Sequence, residues 1–334
     1  SSDVCSSDLE FQHYLKEHLQ LGILLNIDSK NELENALAGL NHSCGELRKD
    51  DFIVIKANWE SKDKNLLAIA KELNVLPESL VFVDDNPAER HIVAAQIPGV
   101  CTPELTAPHE YIRVLDRSGF FEVTTLSKDD AGRTKMYRDN LAREEFQSKF
   151  ADYEEYLHSL GMRAVIRAFE PSYYSRIAQL TNKSNQFNLT THRYTQSEIE
   201  SIAEDGKHIT LYGKLQDRFG DNGVVSVIIG NIRQEICEID LWLMSCRVLK
   251  RNMEFAMMDQ LISQCQSNHI KCLKGFYYPT AKNKMVADFY ATVGFHMVKK
   301  DQDGNSEWEF IIPEHYIKQN EVISIMEDDF NGKK

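Results

Sequence analysis

The sequence predicts two α/β-type domains: a parallel sheet covered by helices on both faces, followed by an α+β domain. Within residues 10–125, continuous apolar strands such as ILLNI and DFIVIK alternate with helical patterns, which is typical of a buried parallel sheet. After CTPELTAPHEY this alternation stops, and from residue 161 helices and strands follow one another in mixed order. The two halves of the chain are therefore expected to differ in architecture.

The composition is that of a globular protein. The chain has 334 residues, enough for two domains, and is 42% hydrophobic and 27% charged. Its formal net charge of −13 argues against nucleic acid or an anionic membrane as a partner, since both repel an acidic protein. Seven cysteines without a CxxC pair fit a reducing compartment, and no apolar run reaches the roughly 20 residues of a membrane-spanning helix. We therefore expect a cytoplasmic protein.

Residues 1–9, SSDVCSSDL, have neither periodicity nor continuity with the segment that follows, and they resemble the translated end of a sequencing adapter. We expect this segment to be non-native and exclude it from the fold prediction. A helix is predicted over residues 10–21, because Phe11, Leu15 and Leu19 share one face.

The remaining elements of the first domain alternate strand and helix. ILLNIDSKN predicts a strand with a polar end, ELENALAGL a helix, DFIVIK a strand, NWESKDKNLLAIAKELNV a helix and SLVFVDD a strand. Parallel sheets bind ligands at the carboxyl ends of their strands, where Ser29 and the pair Asp84 and Asp85 both lie. Because two adjacent carboxylates are costly without a cation between them, a metal ion is the first candidate ligand.

Residues 126–160 are strongly charged with helical spacing, which predicts connector helices, and Ser127 with Asp130 resembles a capping box. The second domain is expected over residues 161–325, and the acidic tail 326–334 is expected to be frayed. Its predicted strands are RAVIRAF, two strands around the turn in ITLYGKLQDRFGDNGVVSVIIGNI, EICEIDLWLM, IKCLKGFYY and a final hairpin around DGN; its predicted helices are SYYSRIAQL, MEFAMMDQLISQC and KNKMVADFYATVGF.

Three motifs of the first domain, ILLNIDSKN, NWESKDKNL and FVDDNPAER, together resemble the haloacid-dehalogenase (HAD) superfamily, and more narrowly its FkbH-like branch, subfamily IIIC. The resemblance implies that Ser29 holds a phosphoryl group and that Lys62 balances its charge. It also implies that Asp84 and Asp85 complete a Mg²⁺ site. The chemistry agrees, since magnesium prefers oxygen ligands and phosphoryl transfer depends on positioning and charge neutralisation. An Asp pair alone also fits a solvated turn; its combination with the Ser-Lys-Asn loop and Lys62 favours the site.

The rest of these motifs is assigned more local roles. Lys30 and Asn31, in the loop with Ser29, are candidate substrate-binding residues. Pro87 suits the first turn of a helix, and Arg90 is expected to pair with a carboxylate. Trp59 is expected to pack in the core.

The chain departs from the family pattern in two places. No DxDxT or DxDN motif precedes Ser29, and apart from Asp28 the only earlier aspartates are Asp3 and Asp8, inside the segment 1–9. The family strand that carries the nucleophile is thus expected to be missing. In addition, Asp28 stands where FkbH-like proteins commonly have the Cys of CSKN. In the glyceryl-transferring members we expect a thiol to hold the acyl group, and Asp28 cannot form that thioester.

Four stretches of the second domain, QLTNKSNQFNLTTHRYT, DRFGDNG, LMSCRVLKR and YYPTAKNKMVADFYATVGF, resemble the carboxy-terminal part of FkbH-like proteins and the GNAT (N-acetyltransferase-like) fold. In that fold the loop after the long central strand binds a pyrophosphate through an RxxGxG motif. Arg247 is present, but Lys250 and Asn252 stand where glycines are expected, which hinders close backbone approach to coenzyme A. The loop is alternatively expected to receive the phosphopantetheine arm of an acyl carrier protein, with Lys250 and Arg251 facing the acidic carrier.

Further candidates of the second domain each have a structural alternative. Tyr290 is either a general acid or a packing residue, and Cys246 is either an acyl-accepting thiol or a buried strand-end cysteine. Asn283 matches the closing GNAT helix and is a candidate substrate-binding residue. An ion pair within DRFGD, among Asp217, Arg218 and Asp221, is expected to shape a hairpin. An amide-rich turn either caps a helix or, as we favour, lines a substrate cleft; its residues are Asn185, Gln186, Asn188 and Arg193.

The resemblance covers nearly the whole chain after residue 9 and implies an acyl or glyceryl transferase of natural-product or surface-polysaccharide assembly. In this interpretation phosphate is removed from an activated three-carbon donor with Mg²⁺, and the acyl group is loaded on an acyl carrier protein. One alternative is a magnesium phosphatase whose second domain recognises the substrate. Another is a non-catalytic binding module, since a first domain without its nucleophile strand is expected to be unstable and inactive as a phosphatase.

Overall fold

A computed structural model describes residues 6–122, 132–327 and 330 of the chain. It divides into two compact units, Ser1–Arg143 and Glu144–Lys334. The predicted capping box at Ser127 and Asp130, the start of the segment 1–9 and most of the tail lie outside the described residues.

The described part of the first unit alternates helices with two parallel strands. The first helix begins at Ser6, four residues before the predicted start. The elements are α1 (Ser6–Gln20), β1 (Leu25–Ser29), α2 (Leu33–Leu40), β2 (Phe52–Ala57), α3 (Lys62–Glu72), α4 (Pro87–Gln96) and α5 (Tyr111–Arg117); α6 (Arg133–Gln147) runs across the boundary between the units.

Within the first unit, β1 and β2 pair in parallel, with Asp28 opposite Lys56 and Ser29 opposite Ala57. The predicted strand SLVFVDD is reduced to a single parallel bridge between Val81 and Cys101. The N–H of the neighbouring Phe82 donates to the Cys101 carbonyl at 2.8 Å, and the Cys101 N–H donates to the Leu80 carbonyl at 3.2 Å. Both hydrogen bonds join residues 80–82 to the same neighbour, Cys101. The segment has no second pairing partner among the described residues, which explains why it does not form a continuous strand.

The core of the first unit lies on the two sides of α3. Ile69 and Leu73 pack with Val54 of β2. Leu66 packs with Phe82 and with α4. Helix α3 is therefore held between β2 and the bridge of Val81 with Cys101. Its first residue, Lys62, lies near the end of β2 and near Asp84, which follows the bridge.

The second unit is built on a sheet of eight strands in the part of the chain that the structure describes, in the order β10-β3-β4-β5-β6-β7-β9-β8. Neighbours from β3 to β6 are antiparallel, whereas β7 runs parallel to β6. The strands are β3 (Arg163–Arg167), β4 (His208–Asp217), β5 (Gly220–Arg233), β6 (Ile236–Met244), β7 (Cys272–Tyr277), β8 (His296–Lys300), β9 (Ser306–Ile311) and β10 (Ser324–Ile325); the helices are α7 (Tyr153–Ser159), α8 (Tyr174–Lys183), α9 (Gln196–Glu204), α10 (Met253–Ser267) and α11 (Phe289–Thr292).

The two parallel strands β6 and β7 are paired only over their first halves, Ile236–Ile239 with Cys272–Gly275. Beyond that point a third segment lies between them. Leu189 donates its backbone N–H to the Trp242 carbonyl at 3.2 Å, and its own carbonyl accepts from Tyr278 at 2.9 Å. The carboxyl ends of β6 and β7 are thus joined through residues 187–189.

One prediction about the end of the second unit is corrected. The predicted helix KNKMVADFYATVGF is a short 3₁₀ turn, Lys284–Val286, followed by the four-residue α11. At the end of the second unit β10 lies parallel to β3, and Met326 donates its N–H to the Ala164 carbonyl at 2.8 Å. In the described part of the chain, no helix combines the length and the apolar character needed to cross a membrane.

Candidate functional site

An ion pair lies at the strand ends of the first unit, where the sequence predicts a phosphoryl site. The ammonium of Lys62, the first residue of α3, pairs with the carboxylate of Asp84. Their side chains are only 14% and 6% exposed. Two opposite charges this far from water attract each other strongly, and either alone would carry a large desolvation cost.

The backbone around Asp84 is fixed by the start of α4. The second carboxylate oxygen of Asp84 accepts from the Asn86 N–H at 2.8 Å. Asn86 is the N-cap of α4, and Pro87 is its first residue, as predicted. The sequence predicts that Arg90 pairs with a carboxylate. Among the described residues it instead donates to the backbone carbonyls of Asp84 and Asp85, at 2.7 and 3.1 Å. The turn is therefore held without using a second carboxylate.

Asp28 at the end of β1 is the most perturbed carboxyl of this site. Its Oδ1 accepts from Asn65 Nδ2 at 3.0 Å, and its buried Oδ2 has no hydrogen-bond partner among the described residues. Burial raises the pKa of Asp28 to about 6; the Asn65 hydrogen bond and Lys62 oppose the shift, whereas Asp84 adds to it. Asp28 is thus a carboxyl that changes charge near neutral pH, beside the Lys62–Asp84 pair.

The loop after β1 is shaped by its own hydrogen bonds. The Ser29 carbonyl accepts from Asn31 and Asn58 at 3.0 and 3.1 Å. Lys30 pairs with Glu89 at 2.5 Å, and the Asn31 amide oxygen accepts from the Glu32 N–H at 2.8 Å. Lys30 and Asn31 therefore have structural partners in addition to the substrate role that the sequence suggests.

Two amide residues of this site were missed by the sequence prediction. Asn58 and Asn65 exchange hydrogen bonds at 2.9 and 3.2 Å, and Asn65 also holds Asp28. Both lie in the NWESKDKNL motif, but only Lys62 was selected from it because amides carry no charge signal. Trp59 of the same motif is 70% exposed and donates to Glu32, so the expectation that it packs in the core was wrong.

The carboxylates do not form a metal site by themselves. In residues 6–122 and 132–327, no group of three or more His, Cys, Asp and Glu side chains is arranged to hold a metal ion. One oxygen of Asp84 faces Lys62 and the other accepts from Asn86, and Asp85 is exposed. The described residues thus do not fit the predicted Mg²⁺ ion as they stand, and no chemical step is derived through it.

Replacing Asp28 with Asn is expected to change the pH dependence of stability. The pKa of Asp28 is about 6 in the folded chain and about 4 when unfolded, so ionisation of Asp28 opposes folding. The stability that the protonated form contributes is present below pH 4 and is lost as pH rises through 6. In urea unfolding at pH 4, 5, 6 and 7, we expect the free energy of unfolding of D28N to gain on that of the wild type up to about pH 6 and then to level off. Parallel curves for the two proteins would contradict the raised pKa.

In the second unit, the loop after β6 keeps a glycine-like backbone without glycines. Lys250 and Asn252 have φ angles of 64° and 60°, in the left-handed region. The Lys250 carbonyl accepts from the Tyr153 hydroxyl at 2.6 Å, and Asn252 is the N-cap of α10. The loop therefore has the backbone conformation that glycine favours, while two side chains stand where a coenzyme A pyrophosphate would need close backbone approach.

Lys250→Gly is expected to stabilise the second unit. A left-handed residue with a Cβ is strained, and glycine removes that strain at some cost in unfolded-chain entropy, for a net gain of about 0.5–1 kcal/mol. The control is Lys207→Gly, at an exposed turn lysine that is not left-handed, which is expected to cost up to about 1 kcal/mol. Urea unfolding of both variants measures the difference; a loss of stability in K250G would contradict the strain.

Arg251 is not available to a carrier protein. Its guanidinium pairs with Asp217 at 3.2 Å, and the two side chains are 9% and 0% exposed. It also donates to the Arg247 carbonyl at 2.7 Å. Asp217 in turn accepts from the N–H groups of Phe219 and Gly220. Asp217 of the predicted DRFGD ion pair thus pairs with Arg251, 34 residues further along the chain, and this pair ties the β4–β5 turn to the loop.

The structure favours the capping alternative for the amide-rich turn. Arg193 donates to the carbonyls of Thr181 and Asn182 at the end of α8, and to Asn185 Oδ1 at 2.7 Å. Asn188 is fully buried, and its Oδ1 accepts from the Thr191 N–H. Gln186 is half-buried. These side chains fold the segment before β6 rather than line an open cleft.

The remaining candidates of the second unit are interior residues. Asn283 is fully buried and donates to the carbonyls of Asn188 and Tyr278, both at 2.9 Å. Tyr290 is also fully buried and lies among aromatic rings that include Trp242 and Phe295; burial raises its pKa. Cys246 is half-buried and not in a disulfide, and Arg247 donates to the Ser245 hydroxyl. Packing is therefore the better supported role of Tyr290, and Asn283 holds the segment 187–189 in place.

No family model and no curated protein matches the sequence. Among solved structures, the chain is similar to the N-terminal part of a Bacteroides fragilis protein that contains a phosphatase domain in complex with Mg, with 34% identity over 38% of this chain and a TM-score of 0.36. The chain spans 34% of that structure's length.

Other similar structures are acetyltransferases. The ribosomal-protein-S18-alanine N-acetyltransferase of Escherichia coli has 11% identity over 46% of this chain and 96% of its own, with a TM-score of 0.35. An acetyltransferase of the GNAT family from Streptococcus pneumoniae has 14% identity over 45% of this chain and 100% of its own, with a TM-score of 0.37. The predicted fold class, an α/β unit with a parallel strand pair followed by an α+β unit with a mixed sheet, is confirmed by the strand pairing described above.

Proposed function

We propose that the protein is an FkbH-like acyl or glyceryl transferase whose first unit handles the phosphoryl group of an activated three-carbon donor. The observation that carries the proposal is the Lys62–Asp84 pair at the carboxyl ends of the first unit's strands, beside Asp28 and Ser29. A buried ammonium that pairs with one carboxylate has charge to share with an incoming phosphoryl oxygen.

Three residues of the first unit have separate proposed roles toward the phosphorylated donor. Lys62 balances the charge of the phosphoryl group, and Ser29 lies at the end of β1, where a hydroxyl can donate to one of its oxygens. Asp28, with its pKa raised to about 6, can hold a proton close to the leaving oxygen. Asn58 and Asn65 fix Asp28, so the proton is presented at a defined position.

We further propose that the second unit delivers the acyl group to the thiol of an acyl carrier protein. Lys250, exposed at the loop after β6, is the residue best placed to meet an acidic carrier, since Arg251 is buried. Because the side chains of Lys250 and Asn252 hinder the close backbone approach that coenzyme A needs, we propose the phosphopantetheine arm of the carrier as the ligand of this loop. FkbH-like identity, the carrier and the cytoplasmic location are all parts of the proposal.

Phosphate release tests the role of the first unit. Two proteins are compared: the chain of 334 residues, and the same chain extended at its N-terminus by a strand with a DxDxT motif. Each is incubated with phosphorylated three-carbon acids and assayed for inorganic phosphate. We expect release by the extended chain, none by the unextended chain, and loss of release in the extended K62M variant. The matched control K64A, at the exposed Lys64–Glu60 pair, should keep full activity. Equal release by K62M and the extended parent would overturn the proposal.

A further inference from the structure

Three side chains of the second unit, His192, Tyr194 and Asp240, form a hydrogen-bonded group that takes no part in the proposed function described above. Asp240 of β6 accepts from the Tyr194 hydroxyl through one oxygen, and its other oxygen lies 3.1 Å from His192 Nδ1. An aspartate carboxylate only accepts hydrogen bonds, so His192 Nδ1 carries the proton and Nε2 keeps its lone pair. The His192 side chain is 46% exposed, which leaves Nε2 accessible to a substrate.

The backbone that carries His192 is strained and firmly held. Thr191, the residue before it, has a φ of 58°, which is rare for a β-branched side chain. Asn188 Oδ1 accepts from the Thr191 N–H at 2.9 Å, and the Thr190 hydroxyl donates to the Asp240 carbonyl at 2.7 Å. Strain of this kind persists only where surrounding contacts impose it, and it is common at active sites.

The group also lies where a parallel strand pair binds ligands. Ile239 is the last residue of β6 that pairs with β7, and Asp240 comes directly after it. Tyr278 comes directly after the end of β7. The rings of His192 and Tyr278 are 6.3 Å apart between centroids. His192 is therefore held beside the point where β6 and β7 separate, a position at which parallel strands commonly bind ligands.

We propose that His192, oriented by Asp240, is the general base that activates the acceptor thiol in the acyl transfer of the second unit; this role rests on the proposed function. The acyl donor of this step is a thioester: His192 Nε2 takes the proton of the carrier thiol, and the resulting thiolate attacks the thioester carbonyl carbon. The new carbon–sulfur bond forms as the bond to the donor's leaving thiolate breaks, and the imidazolium returns the proton to that leaving group. Asp240 is a positioning residue, which fixes the tautomer and stabilises the imidazolium.

Tyr194 keeps Asp240 in place. Burial, and then the hydrogen bond and charge of Asp240, raise the pKa of the Tyr194 hydroxyl, so it remains a donor at any pH at which the protein works. The groups that face His192 are thus Asp240, Tyr194 and Tyr278, and none of them competes for Nε2 in the described structure.

The test bypasses the first unit. The full chain is given an acetyl or glyceryl thioester of N-acetylcysteamine as donor and a holo acyl carrier protein as acceptor, and the carrier is followed by intact mass. We expect H192Q to lower kcat by about 100-fold or more, with an unchanged melting temperature. The control H208Q removes a histidine that pairs with Asp205 at 3.5 Å elsewhere in the unit, and it should transfer at the wild-type rate.

Asp240 is tested by the separation of kcat from KM. D240N is expected to lower kcat while the KM for the carrier stays constant, because an amide can fix the wrong tautomer, and D240E should restore part of the rate. Transfer by H192Q at the wild-type rate would overturn the role of His192 alone. An unchanged kcat in D240N would overturn the positioning role. Absence of transfer by the wild type would overturn the proposed function of the second unit, and with it this role.

Discussion

Replacing Lys62 with Met is expected to lower the free energy of unfolding of the first unit by about 3 kcal/mol, because it leaves the Asp84 carboxylate buried without a counter-charge. Met keeps the length of the side chain but loses the ammonium, which also lies 5.8 Å from the centroid of the Phe82 ring, so the loss is mainly electrostatic. Urea unfolding followed by backbone hydrogen exchange of β1, β2 and α3, read by mass spectrometry, reports this unit separately from the second.

The control for this prediction is K64A. Lys64 pairs with Glu60 at 3.5 Å on the exposed surface of α3, and such pairs contribute at most about 1 kcal/mol. The double variant K62M/D84N should recover part of the loss, because neither charge then remains buried alone. If K62M and K64A cost the same, the Lys62–Asp84 pair is not the buried pair described here.

Replacing Arg251 with Met is expected to lower the free energy of unfolding of the second unit by about 3–5 kcal/mol. Asp217, whose side chain is fully buried, would then lose the positive charge of Arg251 while it still accepts from the N–H groups of Phe219 and Gly220. Arg251 also closes the loop after β6 through the Arg247 carbonyl, so the loop should loosen together with the β4–β5 turn. The buried Trp242 and Trp308 report this unfolding by fluorescence.

The matched control is R233M. Arg233 pairs with Glu238 at 2.7 Å, but its side chain is exposed, so the loss should stay below about 1 kcal/mol. A loss in R251M no larger than that in R233M would contradict a buried, structural ion pair and would return Arg251 to the set of possible carrier contacts.

Strands and helices with strong apolar patterns were predictable. β2, β6 and α10 follow continuous or periodic apolar residues, and each lies where the sequence places it. SLVFVDD has an equally strong pattern but forms one bridge, because pattern shows what is buried and not whether a neighbouring strand is present. The last helix was overestimated for a related reason: KNKMVADFYATVGF is apolar because it covers the sheet, although only Phe289–Thr292 is α-helical.

The candidate site of the first unit could be predicted because charge is visible in the sequence. Lys62 and Asp84 were selected from motifs, and the structure places them in one ion pair. Asn58 and Asn65 escaped notice because an amide becomes informative only when its partner is known. His192 and Asp240 are 48 residues apart, and no local spacing connects them. Their pairing depends on the segment 187–189 joining β6, which is a property of the tertiary structure.

We propose that one protein performs both phosphate release and acyl loading. The most direct test is the intact mass of a holo acyl carrier protein after incubation with the chain extended by a DxDxT strand and a phosphorylated three-carbon donor, with inorganic phosphate measured in the same sample. We expect the carrier to gain the mass of one acyl group for each phosphate released. Phosphate without a mass gain would identify a phosphatase, and absence of both products would identify a binding module; either result would contradict a single phosphate-releasing acyl transferase.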